Sequence, residues 1–323
     1  MKFVPFGNTG IQVSQLCYGT MSFGGDADEQ ESARLYAACR DRGINFFDTA
    51  NIYSKGLSEE ILGRLIAKER DNLIISSKGF GSTSDDINDQ GSNRRNITAA
   101  VEASLKRLGT DRLDVYFMHM WDEATPLEET LRALEKLVSD GKVLYLGASN
   151  YAAWQIAKGL GISERHGWPK FDVLQPMYNL VKRQVETEIL PLAKAENLAV
   201  MPYSPLGGGL LTGKYTGGSK PDGARLVAMD MYARRYGEDW VHDVAASYTE
   251  FCKQRGLQAV STAVAWVAAN PAITCPIVGA RSVEQLGPSL DSVDVDMTPE
   301  LYAEISALSR TPALATDRAD EQG

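Results

Sequence analysis

Little in this 323-residue chain speaks for metal, disulfide, membrane or nucleic-acid chemistry. It holds three histidines and four cysteines. Cys17, Cys39, Cys252 and Cys275 are widely scattered with no CxxC pair, which fits reduced, buried thiols in a cytoplasm. His166 and His242 fall on predicted helices without ligand companions, so no metal is expected. No apolar run approaches the ~20 residues that span a bilayer, so no membrane partner is expected. The opening MKFVPFGNTG has no apolar signal core and carries Pro5 and Gly7, which argues against secretion. An excess of basic residues is missing too: 33 Lys and Arg against 42 Asp and Glu leave a net charge of -9. That balance opposes general nucleic-acid binding but leaves room for a local basic site and a phosphorylated cofactor.

What is present is an ordinary globular composition, 44% hydrophobic and 23% charged, arranged as an alternation. Eight short β-rich runs recur: 15–19, 44–49, 73–78, 113–119, 143–149, 172–177, 198–204 and 274–280. Several are nearly continuous apolar stretches, as parallel strands covered on both faces require. Between them lie helical patterns that end on glycine, such as 94–108 before Gly109, and the Leu131, Leu134, Leu137, Val138 stripe before Gly141. This pattern predicts an α/β protein, a closed (β/α)8 TIM barrel forming one domain over 1–323. A doubly wound sheet would carry GxGxxG after its first strand, where this chain has GTMSFGG (19–25). Residues 2–13 read as a hairpin about Asn8, Thr9 and Gly10 that plugs the barrel floor. Residues 205–237 read as a long Gly-rich loop, 298–310 as an extra C-terminal helix and 311–323 as a flexible polar tail. Trp154 and Trp266 sit in helical patterns and are expected in the core.

In such a barrel the chemistry lies at the C-terminal ends of the strands. Asp48 ends the second strand, with Tyr53 five residues on; Lys78 ends the third and His119 the fourth. A lone Asp or Lys there reads as structural, whereas four ionisable groups on one rim read as a site. A tyrosine titrates near 10. An ammonium ~4 Å away, at an effective dielectric of ~20, favours its phenolate by ~4 kcal/mol, so Lys78 is expected to shift Tyr53 toward neutrality. Asp48 would keep Lys78 charged, and a neutral His119 would orient a carbonyl oxygen. Hydride must come from a cofactor, because no side chain supplies it.

These residues resemble the Asp-Tyr-Lys-His tetrad of the aldo-keto reductase superfamily. The strings that carry the resemblance are GINFFDTANIY (43–53), LIISSKG (73–79), LGTDRLDVYFMH (108–119), GKVLYLGASN (141–150), QPMYN (175–179) and YSPLGGGLLTGKY (203–215). QPMYNLVKR and the GAR segment are most similar to the bacterial reductases and the potassium-channel β-subunit branch. The resemblance implies an NADP-dependent oxidoreductase, with Asp48, Tyr53, Lys78 and His119 catalytic. Gly19, Thr20, Met21 and Asp48 would lie at the cofactor, and Ser149, Asn150 and Gln175 at the nicotinamide carboxamide. Tyr203 would stack on its ring, and Ser204, Leu206 and Gly208 would wrap the pyrophosphate. Arg281 and Ser282, at a helix start, would take the adenosine 2′-phosphate, which favours NADPH over NADH. Gln285 and Ser289 would complete the adenine end, where relatives often carry arginine and asparagine. Met21, Phe23, Tyr53, His119 and Trp121 would meet a small-molecule carbonyl.

Other readings compete. A non-catalytic NADPH-binding regulatory subunit would keep the same tetrad. A Schiff-base lyase would use Lys78, but needs it neutral. Gly208 to Lys214 fits GxxxxGK, yet Tyr215 stands where a P-loop places its Mg²⁺-binding hydroxyl. Specificity is expected on loops 20–26, 80–93, 121–125 and 205–237, whose few charges near Met21, Phe23 and Trp121 point to a bulky neutral substrate.

Overall fold

Two residues at a time, the strands of this protein sort their side chains between two apolar regions. The computed structural model describes residues 1–215, 219 and 225–316. An antiparallel hairpin, β1 (Phe3–Pro5) with β2 (Gln12–Ser14), precedes a parallel sheet of eight strands. These are β3 (Cys17–Gly19), β4 (Phe46–Asp48), β5 (Ile74–Gly79), β6 (Leu113–Met118), β7 (Val143–Ser149), β8 (Phe171–Gln175), β9 (Ala199–Val200) and β10 (Ile277–Val278). Neighbours follow chain order from β3 to β9, and β10 pairs with β3. The last seam is bridged by Thr274 N–H donating to Val200 O at 2.8 Å and Ile277 N–H donating to Pro202 O at 2.9 Å. The sheet thus closes as the (β/α)8 barrel that the alternation predicts.

Helices α1 (Glu29–Asp41), α2 (Leu57–Ile66), α3 (Arg94–Leu108), α4 (Leu127–Ser139), α5 (Ala153–His166) and α6 (Ile189–Ala195) follow β3 to β8 in turn. After β9 come α7 (Arg225–Ala228), α8 (Asp230–Arg235), α9 (Asp239–Gln254) and α10 (Ala259–Ala269). The chain ends with α11 (Val283–Leu290) behind β10 and α12 (Pro299–Ala307). Their boundaries have local causes. The Asn93 side chain accepts from Asn96 N–H to start α3, and Gly109 ends it in the left-handed region at φ 63°. Leu127, Leu131, Leu134 and Leu137 recur on one face of α4, all buried. Such a leucine contributes roughly 1.5–3 kcal/mol against the sheet.

Inward-facing side chains, Phe6, Cys17, Phe46, Val115, Phe117, Val173, Ala199 and Met201 among them, form one cluster inside the barrel. Their odd-man-out neighbours, Tyr18, Phe47, Ile75, Tyr116, Met118, Leu146, Leu174 and Val200, join the larger cluster under the helices. Phe6 follows the first hairpin strand and stands edge-to-face on Phe46 at 5.5 Å, so the hairpin seals the floor.

Two expectations are corrected. The stretch 205–237 is no plain loop: it holds a 3₁₀ turn at Gly207–Thr212 and helices α7 and α8, while 216–218 and 220–224 lie outside the described residues. Its glycine run hid the short helical patterns that follow. Trp154 is 60% exposed on α5, whereas Trp266 is buried. The helical spacing of Trp154 put it on the solvent face, a distinction that one aromatic residue does not carry. Of the proposed tail, 317–323 lie outside the described residues. Among the described residues no helix is long and apolar enough to cross a membrane, and no group of His, Cys, Asp and Glu could hold a metal. All four cysteines are buried and unpaired.

Candidate active site

The barrel's inner face changes character at its C-terminal end. Two residues beyond an inward apolar side chain, strand after strand turns polar: Phe46 then Asp48, Phe117 then His119, Val173 then Gln175, Met201 then Tyr203. Lys78 and Ser149 continue the inward parity of Ile74 and Tyr145, both packed against the inner cluster. Alternation along a strand therefore carries all six to the barrel mouth.

There they form one charge-paired network. Lys78 Nζ lies 2.5 Å from Asp48 Oδ2, donates to Thr49 O at 2.7 Å and reaches Tyr53 Oη at 3.5 Å. Asp48 Oδ1 accepts from Ser76 Oγ at 2.7 Å and Gln175 Nε2 at 3.1 Å. Both charges are buried, and a buried pair stands only when such hydrogen bonds satisfy it. Burial alone would lower the Lys78 ammonium, but Asp48 and Tyr53 outweigh it and hold the group above the ordinary lysine value. Burial, with a smaller push from Lys78, lowers His119 to about 3, so its ring is neutral. The rings of Tyr53 and His119 meet edge-on, centroids 6.2 Å apart.

One electrostatic expectation is overturned. Burial pushes the Tyr53 phenol up, Lys78 pulls it down and Asp48 pushes it up again, leaving it above its ordinary value. Desolvation of a phenolate exceeds the attraction of an ammonium that is already paired to Asp48. The phenol keeps its proton.

Backbone strain gathers at the same place. Among the described residues five non-glycines take positive φ, and three of them, Ser54, Asn150 and Ser204, line the cavity above the tetrad. Ser54 and Lys55 follow Tyr53 directly at φ 48° and 55°, and Ser54 Oγ donates to Phe23 O at 2.8 Å to hold the turn. Asn150 donates to His119 O at 2.9 Å and accepts from Tyr203 Oη at 2.7 Å. Asn179 Nδ2 donates to Ser204 O at 2.9 Å. Ser149 Oγ donates to Gln175 O at 2.9 Å.

The cavity measures about 870 Å³ and runs from Tyr53 and His119, past Tyr203 and the glycine turn, to Arg281, Gln285 and Ser289. Gly19, Met21, Asp48, Ser149, Asn150, Gln175, Ser204, Leu206 and Gly208 line it as well. That volume suits a cofactor site. Its charge fits an anionic dinucleotide: in a chain of net charge -9, among the described residues the lining carries Lys214, Arg235 and Arg281 against one acid, Asp48, which is paired to Lys78. The glycine turn fits too, because at Gly208, φ 66°, an added Cβ would stand 2.8 Å from the Tyr232 ring.

Five candidates stay outside the lining. Lys78 lies beneath it, fully buried. Thr20 is buried against Ser58, 2.8 Å from its hydroxyl, and Ser282 caps α11 by accepting from Gln285 N–H at 3.4 Å. Trp121 turns edge-on to Tyr151 and Trp154, at 5.3 and 5.7 Å, instead of overhanging the pocket. Phe23 is also corrected: it is fully buried against Tyr18 in the outer core, because the chain turns inward after Met21. Met120, one residue from Trp121, takes the expected place, and Phe80, Ile52, Met231, Tyr232 and Arg235 join it. Met231, Tyr232 and Arg235 sit on α8, inside the stretch expected as loop, and Lys214 belongs to the GxxxxGK string.

A closed barrel with an Asp-Lys-Tyr network and a neutral histidine at its mouth defines an oxidoreductase-type site. Residues 15–310 match the aldo/keto reductase family, and the chain belongs to it. It is 36% identical to the oxidoreductase YrpG of Bacillus subtilis (strain 168), over 99% of both chains. It is 35% identical to a probable voltage-gated potassium channel subunit beta of Oryza sativa subsp. japonica, over 98% of this chain and 99% of that protein. It is 32% identical to norsolorinic acid reductase of Aspergillus flavus, over 92% of this chain and 78% of that one. Family membership carries oxidoreduction with a nicotinamide cofactor.

Proposed function

We propose that this protein is a cytoplasmic NADPH-dependent carbonyl reductase that turns an aldehyde or ketone into an alcohol, with Tyr53 as proton donor. The observation that carries the reading is the buried Lys78 ammonium, 2.5 Å from Asp48 and 3.5 Å from Tyr53 Oη, beneath a cavity that also meets His119. A reduced nicotinamide dinucleotide supplies the hydride. The chain's residues do the rest. Neutral His119 donates through one ring nitrogen and orients the carbonyl oxygen. Tyr53 holds its proton until negative charge grows on that oxygen, then transfers it. The resulting phenolate finds its counter-ion already in place in Lys78, with no reorganisation. Asp48 and Thr49 O keep that ammonium fixed.

Ser149, Asn150 and Gln175 hold the carboxamide and Tyr203 stacks on the ring, with Gly19 and Met21 flanking it. Ser204, Leu206 and Gly208 wrap the pyrophosphate, for which Lys214 and Arg235 provide counter-charge. Arg281 and Ser282 take the 2′-phosphate, beside Gln285 and Ser289. Met21, Ile52, Met120 and Met231 are exposed apolar side chains at the cavity, which supports a bulky, neutral carbonyl as substrate. Thioether chains adapt to varied shapes. The name of the Aspergillus relative, a reductase of norsolorinic acid, supports the same class.

The test is NADPH absorbance over a panel of sugars, terpenoid and steroidal ketones, aryl aldehydes and pyridoxal, repeated with NADH. Turnover best on carboxylated carbonyls, or no oxidation of either cofactor, contradicts the reading. A second reading, a nucleotide-binding regulatory subunit, draws on the resemblance to the rice channel subunit. Turnover lost in Tyr53→Phe with NADPH affinity retained rejects it. A Schiff-base lyase is disfavoured because Asp48 holds Lys78 charged.

A further inference from the structure

We infer that Asp26 limits this enzyme's preference for a 2′-phosphorylated cofactor, by competing with that phosphate for Arg281. The inference rests on the dinucleotide reading above and concerns its adenosine end. Asp26 lies on the loop after β3, and its Oδ2 stands 2.9 Å from Arg281 Nε. The neighbouring donors are engaged as well. Val283 N–H, at the start of α11, donates to Glu31 Oε1 at 2.9 Å, and Arg281 N–H donates to Gln285 Oε1 at 3.4 Å. Glu31 Oε2 in turn pairs with Arg34 at 2.7 Å, and Arg34 with Glu284 at 3.6 Å.

Among the described residues three carboxylates, Asp26, Glu31 and Glu284, thus stand around the guanidiniums of Arg281 and Arg34 before any ligand arrives. A phosphate dianion binding Arg281 must either part it from Asp26 or sit beside that carboxylate on the same guanidinium. A ribose 2′-hydroxyl faces neither obstacle, since it can donate to a carboxylate, the arrangement by which an acidic residue selects unphosphorylated ribose in other dinucleotide sites. The Asp26–Arg281 pair is half exposed, side chains 51% and 30% accessible, so it opens easily and the competition is moderate. The enzyme accordingly discriminates less between NADPH and NADH than Arg281 alone would allow.

The experiment is direct binding, by calorimetry at fixed salt, of NADPH, NADH and 2′,5′-ADP to the wild type, Asp26→Asn, Arg281→Ala and the double variant. Asp26→Asn is expected to tighten NADPH and 2′,5′-ADP by about fivefold, the range of a half-exposed ion pair, and to leave NADH unchanged or weaker. In the Arg281→Ala background the same change should lose most of its effect on 2′,5′-ADP. If Asp26→Asn leaves NADPH unchanged, or tightens NADPH and NADH equally, the inference falls while the dinucleotide reading stands. If the wild type binds neither dinucleotide, that reading falls and takes the inference with it.

Discussion

The two ends of the barrel are built from the same strands and have opposite chemistry. At the floor, Phe6, Phe46, Val115 and Val173 fill the interior with apolar side chains. At the mouth, one step of the same alternation later, Asp48, Lys78, Gln175 and His119 carry charge and hydrogen bonds. The floor is stabilised by burial and can tolerate no unpaired charge. The rim holds a buried ion pair, which by itself stabilises little and is retained where positioning matters. Stability and chemistry are thus separated along the barrel axis, and substitutions at each end should report on one and spare the other.

The largest effect is expected at the rim. Tyr53→Phe removes the donated proton and should lower kcat by roughly 10²- to 10⁴-fold, about 3–5 kcal/mol in barrier, with the melting temperature and NADPH affinity retained. Steady-state kinetics beside a thermal melt check it, and an unchanged kcat would remove Tyr53 from the mechanism. Lys78→Met breaks the separation on purpose. It strands Asp48 as a buried unpaired charge, so urea unfolding should show a loss of roughly 3–5 kcal/mol together with the loss of turnover.

Phe6→Ala probes the floor. Emptying that site should cost about 3–5 kcal/mol of stability while kcat per folded molecule stays at the wild-type value. A fall in kcat would mean that floor and rim are mechanically coupled. A smaller effect concerns pH. His119 stays neutral in the fold down to about 3, whereas an unfolded histidine takes a proton near 6.5. Between these values the unfolded chain binds the extra proton, so stability falls as pH drops from ~6.5 toward 3. Urea melts at neutral and acid pH should show a shallower decline in His119→Asn. The smallest effect lies at the mouth's edge: Met120→Gln should raise KM for aryl or terpenoid carbonyls a few-fold and leave small aldehydes unaffected, as measured on the substrate panel.

The eight strands, the hairpin and the C-terminal helix were legible because each rests on a local pattern, alternation or a glycine stop. Asp48 and His119 were legible for a related reason: each breaks an apolar run at its last residue, and Lys78 stands at the equivalent strand end after Ser76 and Ser77. Phe23 and Trp121 were not, because a loop side chain can turn toward the pocket or toward the core, and here Tyr18 and Tyr151 draw them inward. Arg235 and Tyr232 were missed because no short-range signal ties α8 to the cavity that it lines.

The order of residues alone determined the closed sheet, the parity that sends a polar side chain from six of its eight strands to the mouth, and the types of group gathered there. Only the folded molecule decided how far each proton is held. The phenol's elevation, the imidazole's neutrality and the grip of Asp26 on Arg281 all depend on burial and on distances between residues remote in the chain. Desolvation belongs to a surrounding volume, and no stretch of sequence contains its own surroundings.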